Sequence, residues 1–222
     1  MSKQLLKALE LSLSRRDRLL FEQLTFEICS GQIWHLRGDN GSGKSSLLDL
    51  LVGLNTADHG KVQWFEQDKV AAYDEALSPT EAVAKGLFHY CRQQNAVNPR
   101  LTIRENIKRQ ALWAKVKLSD SQLSEWATEV ALSALLDEPA GLLSQGQQKQ
   151  LSLARLRLFG ERHLWLLDEP FNSLDRSSVT RLQDWITSHL SKGGAVMMVS
   201  HTEQFPSLDI RTLNLSDPNH FN

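Results

Sequence analysis

The run Gly38-Asp39-Asn40-Gly41-Ser42-Gly43-Lys44-Ser45 satisfies the pattern G-x-x-x-x-G-K-S/T, and Ser46 extends it. These residue types suit a polyphosphate. The glycines let backbone N–H groups turn inward around phosphate oxygens, Lys44 adds a full charge for the β- and γ-phosphates, and the Ser45 hydroxyl can reach Mg²⁺. Downstream, Leu164-Trp165-Leu166-Leu167-Asp168-Glu169 reads as an apolar strand that delivers two adjacent carboxylates at its C-terminal end, where open α/β sheets place their ligands. Asp168 is placed to hold Mg²⁺ through its water shell, which leaves Glu169 to orient or deprotonate a water that attacks the γ-phosphate. In Leu143-Ser144-Gln145-Gly146-Gln147, the Ser144 hydroxyl and the amides near Gly146 would offer a phosphate a second helix N-terminus. Alone, the carboxylate pair reads as a solvated turn, a reading that the phosphate loop upstream reverses, and the Ser-x-Gly reads as a helix cap.

A phosphate loop needs a strand before it and a helix after it. The short strand IWHLR precedes Gly38, and Leu47, Leu48 and Leu51 then recur at helical spacing until Gly53. Ahead of these, Leu9, Leu11 and Leu13 alternate with polar residues, as do Leu24, Phe26 and Ile28, which predicts two half-buried strands. KVQWF and GLFHYC read as further strands. Ser78 with Glu81, and Thr102 with Glu105, form capping boxes that open helices. Residues from about 95 to 140 are expected to form a helical subdomain, in which Leu123, Trp126, Val130 and Ala131 share one helix face. One helix is expected from Gly146 through Leu151, Ala154, Arg155 and Leu158, and another through Val179, Leu182 and Ile186, ended by Gly193-Gly194. AVMMVS follows as a buried strand. Helices alternating with apolar strands predict an α/β fold with a mostly parallel sheet covered on both faces. Residues 216–222 are expected to be a loose tail.

The 222 residues carry 25 Lys plus Arg against 26 Asp plus Glu, a net charge of -1, which argues against nucleic acid as the partner. No window reaches the ~18 apolar residues of a membrane helix, and Lys7 and Glu10 interrupt any signal-peptide core. Work at a membrane would need another chain to span it. Cys29 and Cys91, without C-x-x-C spacing, read as buried thiols of a reducing compartment.

The order phosphate loop, LSQGQQ, LWLLDEPFNSLD and then a strand ending in His201 resembles the ATP-binding subunits of ABC transporters, over about residues 5 to 201. The resemblance implies one nucleotide-binding domain over 1–222, a P-loop NTPase of the ABC ATPase type with an antiparallel β subdomain and a helical subdomain. It implies ATP and Mg²⁺ as ligands, and a head-to-tail homodimer in which Ser144, Gly146 and Gln147 act on the partner copy's nucleotide. It also makes Gln94, or alternatively Gln93, the glutamine that senses Mg²⁺ and the attacking water. Asp175 becomes part of a loop that crosses the dimer interface, and His201 a contact to the γ-phosphate. Two departures stand out. Gln145 replaces a glycine, and either alters the backbone approach to phosphate or projects into solvent. Where the family places an adenine-stacking aromatic residue, this chain has Arg15 and Arg16: either the Arg15 guanidinium stacks on the base, or both arginines lie in a solvated turn.

Ala154-Arg155-Leu156-Arg157-Leu158, the doubled glutamine after Gly146 and the half-size chain are similar to the haem-exporter ATP-binding subunits of the cytochrome c maturation system. That resemblance implies a peripheral place on the cytoplasmic face of the bacterial inner membrane, permease partners of the CcmB and CcmC kind, and indirect action on a haem-loaded chaperone of the CcmE kind. The alternatives are an ABC exporter subunit with another cargo and a soluble ABC ATPase. The stretch from Phe65 to Ala84 is read as either a loop insertion or a partner contact.

Overall fold

The structure is a computed structural model that describes residues 2–16, 18–66, 76–160, 162–200, 205 and 208–217. Along the chain run β1 (Gln4–Arg15), β2 (Arg18–Cys29), β3 (Ile33–Arg37), α1 (Lys44–Leu51), β4 (His59–Trp64), α2 (Pro79–Lys85), β5 (Phe88–Cys91) and α3 (Ile103–Trp113). There follow α4 (Asp120–Glu129), α5 (Gln145–Leu153), α6 (Arg155–Leu158), β6 (Leu164–Asp168), α7 (Arg176–Ser191), β7 (Ala195–Val199) and β8 (Ile210–Asn214). Two compact units result: Met1–Tyr90 with Arg162–Asp168 and Ser188–Asn222, and Cys91–Glu161 with Glu169–Thr187.

The first unit is built on two sheets. One is antiparallel, in the order β2-β1-β4; the other has the order β5-β6-β7-β3-β8, with β3 parallel to both β7 and β8 and β6 parallel to β7. Every residue of β6 and β7 is buried, as expected of parallel strands covered on both faces. Leu47, Leu48 and Leu51 of α1 join Leu6, Leu11, Leu24 and Ile28 of the antiparallel sheet and Leu166, Met197 and Leu213 of the parallel one in a single core. Apolar residues at helical spacing thus give the helix after the glycine loop one dry face, which fixes where its N-terminus lies.

The alternation in β1 differs from expectation. Leu6 and Ala8 are buried before a bulge, Leu11 and Leu13 after it, and Leu9 is only partly buried. The register with β2 slips between Ala8 and Leu11, where Glu10 takes a φ of 50° and gives its N–H to Thr25 Oγ1 at 2.9 Å. A second slip, at Gln23 with φ 51°, restores the register, and Ser12 Oγ accepts that residue's N–H at 3.0 Å. One extra residue flips the inward face. The sequence reading also passed over β8, an edge strand beside β3.

The second unit closes on a separate core of Ile103, Ile107, Leu123, Trp126, Leu136, Leu151 and Phe159. Three of its helices, α3, α4 and α5, begin at reciprocal caps: Thr102 with Glu105, Ser119 with Gln122 and Ser144 with Gln147. Ala131 is exposed with φ 58° and lies beyond α4, so it is not on that helix's buried face. The single helix expected through Ala154 is divided, because the Ala154 N–H bonds to Leu151 O three residues back and tightens the turn between α5 and α6. Of the Phe65 to Ala84 stretch, Leu77 bridges Trp64, Ser78 and Glu81 cap α2 as expected, and residues 67–75 lie outside the described residues.

Candidate functional site

β3 ends at Arg37 and the chain turns through glycines whose φ angles are 142° at Gly38, 79° at Gly41 and 102° at Gly43, values open to glycine and strained for other residues. The turn is also tight. A Cβ on Gly38 would stand 2.5 Å from Ser42 Oγ, and one on Gly43 would stand 3.1 Å from Leu20 Cβ. Gly43 is the N-cap of α1 and offers no side-chain acceptor, so the first-turn amides present their positive end without a protein cap. Lys44 reaches back across the loop, its Nζ donating to Gly38 O at 2.6 Å and Asp39 O at 2.9 Å. An ammonium has three donors, so one N–H and the whole charge remain for an anion. Ser42 Oγ is buried with no hydrogen-bond partner among the described residues. Asp39 and Asn40 line the exposed side of the turn, Ser45 is exposed, and Ser46 faces inward. A polar cradle without side chains, backed by a helix N-terminus and a cation, fits a triphosphate.

Asp168 closes β6 at 4% exposure and Glu169 follows at 6%. Glu169 holds a φ of 49°, a left-handed conformation that costs a non-glycine residue on the order of 1 kcal/mol or more and recurs at functional sites. A carboxylate and a hydroxyl, the groups that Asp168 and Ser45 carry, are donors of the kind Mg²⁺ accepts while keeping several waters. Among the described residues no cluster of three His, Cys, Asp or Glu could hold a metal by itself.

In the second unit Ser144 caps α5, accepting the Gln147 N–H at 3.2 Å while its own N–H bonds to Gln147 Oε1 at 2.9 Å. The hydroxyl acts there as acceptor, so its proton is still available to an anion. Gln145 is exposed and projects into solvent. Gly146 is where two predicted segments meet: a Cβ there would stand 2.6 Å from Ser173 O, in the turn just before Asp175, where Ser173 itself has φ 66°. Asp175 Oδ1 accepts the Ser178 N–H at 2.8 Å and the Ser177 hydroxyl at 3.0 Å. Hydrogen bonds from the Ser178 side chain and amide and from Ser177 hold its carboxyl below the usual range. Asp175 is thus the cap of α7, a role that spacing alone did not supply.

Gln93 and Gln94 both lie exposed in the bend after β5. Arg15 ends β1 opposite Arg18. His201 lies outside the described residues. Two residues near the loop had no place in the sequence reading. Ser216 Oγ accepts the Asp39 N–H at 2.9 Å, although it opens the stretch expected to be loose, and Arg18 Nη1 stands 3.9 Å from the Cβ position of Gly41. The hairpin register could have pointed to Arg18; nothing in the sequence pointed to Ser216. Both cysteines are free, and burial pushes the Cys91 and Cys29 thiols up, away from reactive thiolate.

The ABC transporter family model matches residues 21–172. The cytochrome c biogenesis ATP-binding export protein CcmA of Vibrio cholerae is 32% identical over 215 residues, 96% of this chain and 100% of that protein. Its namesake in Legionella pneumophila is 33% identical over 205 residues, 90% of this chain and 94% of the relative. Among solved structures, an ATP-binding subunit of an ABC transporter superposes with a TM-score of 0.78 at 21% identity, covering 96% of this chain and 87% of that one. An ABC transporter ATP-binding protein from Pyrococcus furiosus superposes with a TM-score of 0.74 at 23% identity, covering 95% and 96%. These superpositions establish the fold. A family model that takes in the glycine loop and the carboxylate pair, joined by relatives aligned along nearly the whole chain, makes this protein a member of the ABC transporter family and an ATP-binding, ATP-hydrolysing subunit within it.

Proposed function

We propose that this subunit powers a haem-handling ABC complex of cytochrome c maturation, and that it does so by closing and reopening a homodimer around ATP. The observation that carries the nucleotide part is the Gly38 to Ser45 cradle, in which Lys44 is held against the loop while keeping its charge for phosphate. The haem part is supported by relatives at 32–33% identity that are named for cytochrome c biogenesis.

In this reading the amides of Gly41 to Ser46 and the Lys44 ammonium bind the β- and γ-phosphates. Ser45, Asp168 and Gln94 would hold Mg²⁺, which would supply charge neutralisation at the phosphate oxygens. Glu169 takes a proton from the attacking water, and His201 contacts the γ-phosphate. Ser144, Gly146 and Gln147 complete the partner copy's site, Asp175 holds the turn that lies along the seam, and Arg15 faces the base. The partners are integral membrane subunits of the CcmB and CcmC kind, with a CcmE-like chaperone released indirectly. The subunit sits on the cytoplasmic face of the inner membrane, attached peripherally.

Glu169→Gln keeps size and binding while removing the base. ATP affinity is expected within twofold of wild type, turnover is expected to fall at least a hundredfold, and closed dimers should accumulate on size-exclusion chromatography with ATP. Hydrolysis at the wild-type rate in that variant would remove Glu169 from the mechanism. Lys44→Ala should weaken ATP binding itself. For the haem role, a strain carrying only the Glu169→Gln protein should lose holo-cytochrome c by haem staining. Normal holo-cytochrome levels would leave an ABC ATPase with another cargo.

A further inference from the structure

We infer that Arg18 is a ligand of the nucleotide's phosphate chain, supplied to the glycine loop by the first β-hairpin. The inference rests on the nucleotide reading above and adds to it a residue that the glycine-loop motif does not contain.

The pairing of β1 with β2 slips between Leu13↔Phe21 and Ser14↔Leu19, which leaves Leu20 as an extra residue of β2, so the places of Arg18 and Leu20 follow from their contacts and not from strand alternation. Both are found against the loop. Leu20 Cβ lies 3.1 Å and Phe21 Cδ1 3.5 Å from the Cβ position of Gly43, while Arg18 Nη1 lies 3.9 Å from that of Gly41. The first residues of β2 therefore run along the segment from Gly41 to Gly43, where the inward-turned amides are concentrated. Leu20 closes the apolar side, and Arg18 brings a cation to the exposed apex. Arg18 pairs with no carboxylate among the described residues, and Arg15, its cross-strand neighbour, is not among the atoms nearest the loop glycines.

The charge arrangement favours a second cation there. Asp39 places a carboxylate in the loop, and Lys44 spends two of its three N–H groups on loop carbonyls. A guanidinium stays protonated at any working pH and offers two parallel N–H groups in one rigid plane to a pair of phosphate oxygens, a geometry that an ammonium's point charge lacks. Its place at the apex, beside backbone rather than beside an aromatic slot, points to phosphate rather than to the base.

Tripolyphosphate separates the two possibilities because it has no base. Affinities for Mg·ATP and Mg·tripolyphosphate are measured by calorimetry on full-length wild type, Arg18→Gln, Arg18→Lys and Lys44→Ala, with thermal melts to show that each is folded. Arg18→Gln is expected to weaken both ligands by about tenfold or more, and Arg18→Lys to recover part of the loss. Tripolyphosphate binding unchanged in Arg18→Gln overturns the inference, whether or not ATP affinity falls. The underlying reading fails in a different way: wild type binds neither ligand, or Lys44→Ala binds both normally, and Arg18 then loses its role with it. Loss in Lys44→Ala alone rejects Arg18 and leaves the cradle standing.

Discussion

Gly146 shows how one missing side chain ties two segments together. Its backbone has no need of a glycine-only φ, so alanine would be acceptable to the helix. The obstacle is the Ser173 carbonyl, 2.6 Å from where the new carbon would stand and well inside van der Waals contact. Gly146→Ala must move either the start of α5 or the turn before Asp175. Both belong to the proposed seam between copies, whereas the glycine loop proposed to grip ATP is elsewhere in the sequence. The variant is therefore expected to bind ATP with near-normal affinity and to lose at least tenfold in turnover, read by steady-state hydrolysis beside calorimetric binding. Equal losses in affinity and rate would place Gly146 in the subunit's own nucleotide grip instead. Gln145, which breaks the usual glycine pair, is exposed and needs no such explanation.

At the scale of elements, the strand-loop-helix unit was legible because several signals agree there: an apolar strand, glycines at fixed spacing, and leucines at period 3.6 ending at Gly53. β6 was legible for a similar reason, since a fully buried strand is continuously apolar. The caps at Ser78 and Thr102 are legible as S-x-x-E and T-x-x-E, and those at Ser119 and Ser144 take the related S-x-x-Q form. What escaped was set by partners distant in sequence. The bulges at Glu10 and Gln23 compensate one another across two strands, so neither leaves a trace in a local pattern. β8 has one fully buried residue, Leu213, on a sheet edge, too weak an alternation to announce a strand. Missing β8 also hid Ser216, which that strand carries to the loop. Ser216→Ala leaves the Asp39 N–H without its acceptor, a loss on the order of 1 kcal/mol. A rise of about threefold to tenfold in the KM for ATP is expected, with Ser216→Thr close to wild type. An unchanged KM in the alanine variant would show that the loop holds its shape without this bond.

On the scale of the whole molecule, the chain has two units, each with its own core, and a net charge of -1. Among the described residues no helix is long and apolar enough to cross a membrane. Membership of the transporter family nevertheless calls for membrane partners. The peripheral attachment proposed above would then come through protein contacts with those partners. Two consequences can be measured in one fractionation. Expressed without permease subunits, the protein should remain in the supernatant after high-speed centrifugation; expressed with them, it should sediment with membranes and be released by alkaline carbonate, which strips peripheral proteins but not spanning ones. Sedimentation without the permease, or resistance to carbonate, would show that this chain carries a membrane anchor of its own.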